Sequence, residues 1–239
     1  MLAPVTHPLV EAVRDALAPA GDPQRARAQK AYMKSAMPFR GLTSPELKAL
    51  LRPLLADPTL RIGDRATWEG AVRELWDEAT HREDRYAATA VAGHRAYRAW
   101  QDADTLPLYR HLVVTGGWWD LVDEVAANRV GPILVSHREL ATPVVRSWAT
   151  DDDLWLRRTS VICQLGARDR TDLDLLRHAV EVNLDDRSFW LRKAIGWALR
   201  QYARTDPDWV RDRVAEWDGR LSGLSRREAL KHLGARQQL

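Results

Sequence analysis

The sequence of 239 residues predicts an all-α protein, built as a right-handed α-solenoid of antiparallel helix pairs. Three observations point there. Apolar residues recur at three- and four-residue spacing along nearly the whole chain, and no run of β-branched residues alternates with polar ones. Capping side chains stand before proline at Asp22-Pro23, Ser44-Pro45, Asp57-Pro58 and Asp206-Pro207, the usual chemistry of a helix start. Finally, Trp155-Leu156-Arg157-Arg158 recurs 35 residues later as Trp190-Leu191-Arg192-Lys193, each time after an acidic stretch, Asp151 to Asp153 and then Asp185-Asp186. That period suits one helix pair of a stacked repeat. A chance match within an irregular helical bundle is the alternative.

In chain order, helices are expected to begin near 23, 44 and 207, the second closed by a capping box of Thr43 with Glu46. Others are expected over 66–78, 82–99, 104–114, 117–128, 138–148, 152–165, 171–182, 188–203 and 224–233. The links are short, which forces neighbouring helices into antiparallel pairs. No linker or low-complexity stretch divides the chain, so one domain over 1–239 is expected.

Composition narrows the partners. Lys and Arg number 36 against 33 Asp and Glu, and the basic residues are mostly Arg, whose planar guanidinium fits phosphate. One cysteine, Cys163, excludes an internal disulfide and a cysteine-based zinc site. The first residues interrupt their apolar positions with Pro, His, Glu, Arg and Asp, so neither a signal-peptide core nor a membrane span is expected, and a cytoplasmic, nucleoid-associated monomer is. The sequence holds 11 Trp beside 2 Phe, more indole than a core of this size requires, so some are expected on a working surface.

Three helices carry more than packing. Over 188–203, Leu191, Ile195, Ala198, Leu199 and Tyr202 form a core face, and the other side gathers Trp190, Lys193, Trp197, Arg200 and Arg204. Indoles interleaved with cations suggest a nucleic-acid surface. Over 152–165, Arg158 falls inside the apolar arc of Leu154, Trp155, Val161, Ile162 and Leu165, so it needs either a protein carboxylate or a ligand phosphate. Over 117–128, Trp118, Leu121, Val122 and Val125 form the core side. Trp119 and Asp123, four residues apart, share a flank bordered by Ala126 and Ala127, whose small side chains leave room beside it. Asp120 and Glu124 read as solvated charges. A carboxylate among indoles and cations suits glycosidic cleavage, whose transition state places positive charge on the sugar.

The segments AYMKSAMPFRGLTSPE (31–46), GGWWDLVDEVA (116–126), DDLWLRRTSVICQL (152–165), FWLRKAIGWALRQYARTDPDWV (189–210) and LSRREALKHL (224–233) resemble, in order and spacing, the AlkD-like family of DNA alkylation repair glycosylases. The resemblance implies a HEAT-like solenoid that cradles duplex DNA and hydrolyses the bond to N3- and N7-alkylated purines without strand cleavage, needing no metal or other cofactor. It makes Asp123 the catalytic carboxylate, Trp119 and Trp197 the sugar-facing indoles and Arg158 the phosphate-gripping arginine. Tyr32, Lys34, Ser44 and Lys48, together with Trp190, Lys193 and Arg200, become DNA contacts, with Trp190 nearer the rim. Two departures bear on those contacts: Glu46-Leu47-Lys48 replaces a commoner Glu-Arg, and Trp190 stands where a smaller aromatic is expected. The rival reading is a non-catalytic HEAT-like module that binds branched or distorted DNA.

Overall fold

The computed structural model describes residues 6–234, and these are all helix, turn and loop with no strand among them. They divide into two compact units on either side of the Trp100–Gln101 bond. The boundary follows a short 3-10 stretch, Arg95–Trp100, and lacks the Gly, Ser or Pro enrichment by which composition marks a linker.

The first unit holds α1 (Pro8–Leu17), α2 (Pro23–Met33), α3 (Ser44–Ala56), α4 (Arg65–Asp77) and α5 (Arg82–Ala92). Local chemistry sets the starts. Asp22 accepts from the Gln24 and Arg25 backbone N–H groups, and Thr43 and Glu46 close the capping box that opens α3. α1 begins at a proline the sequence reading did not use, with His7 Nδ1 accepting from the Leu9 N–H. The helix expected over 82–99 stops instead at Ala92, where Gly93 follows and the chain continues as the 3-10 turns of Arg95–Trp100. Trp68 and Trp76 of α4 are fully buried in this unit's core.

The second unit holds α6 (Leu106–Gly116), α7 (Trp119–Val125), α8 (Gly131–Ser136), α9 (Arg138–Trp148) and α10 (Leu154–Ile162), then α11 (Leu173–Glu181), α12 (Phe189–Tyr202), α13 (Pro207–Glu216) and α14 (Gly223–Ala229). A π turn over Ala126–Val130 carries α7 into α8, so the helix expected to end at 128 runs on to Ser136. Helix α10 is central, packing against α6, α7, α9, α11 and α12, while α12 packs in turn on α13 and α14. Helices that share apolar faces with several neighbours in this way are characteristic of stacked α-helical pairs. The 35-residue repeat is real in three dimensions, because Trp155 opening α10 and Trp190 opening α12 meet with ring centroids 5.5 Å apart. Asp153 caps α10, whereas α12 is capped by Ser188 rather than by its acidic pair. No described helix is long and apolar enough to cross a membrane.

Candidate active site

Gly117 ends α6 in the left-handed conformation (φ 51°) and turns the chain into Trp118, whose extended backbone precedes α7. Asp123 then falls in the middle of α7, one turn before the π turn. Irregular turns of this kind frequently accompany functional groups inside helices.

The partner that Arg158 requires is Asp123. Arg158 Nε donates to Asp123 Oδ1 at 2.7 Å and Nη2 to Oδ2 at 2.8 Å, a bidentate fork. Nη1 donates to the backbone carbonyl of Trp190 at 2.6 Å. The guanidinium is thus committed to the protein through all three nitrogens and buried, the residue being 3% exposed. Of the two partners open to Arg158 at the sequence level, the chain supplies the carboxylate, and a phosphate would have to use the N–H groups left over from the fork. Burial, the largest influence, pushes the Asp123 carboxyl above its ordinary range, while hydrogen bonding and charge from Arg158 pull it down and Asp120 adds a smaller upward push. Paired with a guanidinium that never loses its proton, Asp123 is an anion at neutral pH whose two oxygens each keep a free lone pair.

Indoles crowd this pair. Trp118, Trp155 and Trp190 form a triangle with centroids 5.4 to 6.1 Å apart, and the Arg158 guanidinium carbon lies 6.0 Å from the centre of the Trp190 ring. Trp190 therefore lies against the Asp123–Arg158 pair, through its carbonyl and its ring. Trp118 and Trp155, assigned to core faces at the sequence level, are only partly buried. Trp118 Nε1 is buried and has no hydrogen-bond partner among the described residues, a donor left without an acceptor. Phe189, 57% exposed, stands edge-on to Trp190.

The remaining expected residues are placed as follows. Trp119 is half-buried at the start of α7. Trp197, two turns beyond Trp190 on α12, is also half-buried and packs against the apolar core shared by α10 to α14. Ala126 is fully buried in that same core, whereas Ala127 is only partly buried. Glu124 is not a free solvated charge, since Arg129 and Asn128 both donate to it. Tyr32 (79% exposed), Lys34, Ser44 and Lys48 lie on the surface of the first unit, around the end of α2 and the start of α3. Cys163 is buried, which pushes its thiol up to about 12 and leaves it no role as a nucleophile at neutral pH.

The stripe of cations on α12 is covered where the wheel leaves it open. Lys193 and Arg200 both bind Glu228 of α14. Gly196, between them, explains how α14 comes so close: a Cβ there would stand 2.5 Å from the Glu228 Cβ and 3.0 Å from the Ser225 carbonyl oxygen. Neither Gly196 nor Glu228 was singled out in the sequence, although adding one repeat of 35 residues to Lys193 leads directly to Glu228.

The chain belongs to the DNA alkylation repair enzyme family, whose model matches residues 13–233. It is similar to a solved structure described as a predicted DNA alkylation repair enzyme from Enterococcus faecalis, with 28% sequence identity and a TM-score of 0.80 over 90% of this chain and 97% of that one. No curated relative matches the chain.

Proposed function

We propose that the protein is a monofunctional DNA glycosylase of AlkD-like type that hydrolyses the N-glycosidic bond of N3- and N7-alkylated purines in duplex DNA. The observation that carries this reading is the half-buried Asp123 carboxylate, held by the Arg158 fork beside the Trp190 indole. Alkylation makes the purine a cationic leaving group, so no general acid has to protonate it. What the reaction demands is stabilisation of positive charge as it grows on the deoxyribose. A fixed anion in a poorly hydrated wall supplies that stabilisation, and its unused lone pairs can hold the attacking water. Trp119 and Trp197 are the indoles whose faces meet the sugar in this reading, and the Trp190 ring limits the space beside it. Arg158 acts chiefly as the positioning residue for Asp123. Lys193, Arg200, Tyr32, Lys34, Ser44 and Lys48 meet the DNA backbone, the first two in competition with Glu228. The protein works without metal or nucleotide cofactor, as a cytoplasmic monomer. The test is incubation with duplex DNA carrying N7-methylguanine or N3-methyladenine. Free modified base with intact strands supports the proposal, and tight binding of branched DNA without any base release overturns it.

A further inference from the structure

The second unit carries another cavity, of about 280 Å³, where α10 and α12 end. Its floor is apolar, made by Val161, Leu176 and Ala198, and none of its lining residues is acidic. Arg168 and Arg204 line it, both exposed, and neither makes an ion pair or side-chain hydrogen bond among the described residues. Exposed arginines without such a partner also stand at Arg146, Arg170, Arg187 and Arg227 of this unit, but Arg168 and Arg204 are the two that line this cavity. Of the acids nearby, Asp172 caps α11 and Asp206 caps α13. Arg168 also holds a left-handed backbone (φ 54°), a costly conformation for a residue with a side chain. Ala198, Gln201 and Tyr202 bring the last turns of α12 to the cavity, and Arg204 follows in the turn after the helix.

We propose that this cavity grips one backbone phosphate of the DNA, between Arg168 and Arg204. The inference rests on the chain's action on DNA, and it anchors the strand without touching the reacting sugar.

The experiment measures binding of an undamaged duplex across a salt series for wild type, R168A/R204A and R168K/R204K, with melting temperatures in parallel. The alanine pair is expected to lower the slope of log affinity against log salt by about one, and the lysine pair to restore it. An unchanged slope in a folded alanine pair overturns the proposal. In a lesion duplex, single methylphosphonate replacements should locate one position that weakens wild type but not the alanine pair. Equal sensitivity of both proteins at every position also overturns it. Because the salt series needs no chemistry, failure of base release would strike the glycosylase reading and leave this result standing.

Discussion

Asp123, Arg158, Lys193 and Glu228 follow one another at intervals of 35 residues, and they form two ion pairs of very different character. Arg158 reaches back from α10 to α7, and its side chain and that of Asp123 are 4% and 15% exposed. Lys193, at the equivalent place on α12, reaches forward to α14 with 40% of its side chain in solvent. Burial raises the Asp123 carboxyl, whereas Glu228 is lowered, first by its hydrogen bond from Lys193 and against a weaker push from burial. The same repeat position thus builds a desolvated anchor in one layer and a solvated brace in the next. What separates them is the surroundings: the Trp190 ring and backbone carbonyl lie against Arg158, and the second pair stands against the last helix of the unit.

The comparison breaks most visibly at Asp123. Asp123→Asn keeps the shape but removes the anion, so single-turnover base release is expected to fall by about 10²- to 10³-fold, as for other preorganised charge stabilisers. DNA affinity should be unchanged or slightly tighter, because a charge that repels phosphate is gone. Equal loss of binding and rate would make Asp123 structural. Wild type should show an acid limb in its rate whose midpoint lies above the ordinary aspartate value of 3.8, since burial raises the folded-state carboxyl. The sign for stability follows from the same shift. A raised carboxyl contributes stability below its unfolded value and loses it as pH rises through the folded value, so ionised Asp123 is held at a cost to the fold.

Arg158→Ala comes next. It leaves a buried carboxylate without its counter-charge, which costs about 3 kcal/mol in such pairs, and a fall of several degrees in melting temperature is expected. Base release from the folded fraction should drop with it, because Asp123 is no longer oriented and its proton is held more tightly. With the residue 3% exposed and its nitrogens engaged, the salt slope of DNA binding should stay where it is. A slope lower by about one would instead show that Arg158 meets a phosphate directly.

Much of this was legible in the sequence where the governing physics is local. Asp22, Thr43 with Glu46, Asp153 and Asp206 cap helices where their side chains and the following residues said they would. Helical wheels also isolated Asp123 and Arg158, because a charge inside an apolar arc is visible on one helix alone. Their bond to each other was not visible, since a wheel describes a face and never the neighbour that covers it. The same blindness opened the Lys193 and Arg200 flank to solvent, where Glu228 of α14 meets both cations. Gly196 was the available clue: a glycine inside an otherwise strong helix, with no turn to make, marks a close approach of backbones.

The smallest expected effect belongs to the brace. Glu228→Gln removes an anion that is solvated on one side and shared by two cations, so the loss of stability at neutral pH should be no more than about 1 kcal/mol. Because Glu228 is lowered in the folded protein, its contribution is present above the unfolded value of 4.5 and disappears as pH falls through the folded one. Wild type and variant should therefore converge in melting temperature on acidification. At neutral pH the variant should also bind duplex DNA somewhat more tightly and with a steeper salt dependence, because Lys193 and Arg200 are released to phosphate. If affinity and slope stay as they were, those two cations serve only to hold α14 against Gly196. The contact surface for DNA on α12 would then reduce to its indoles and Arg204.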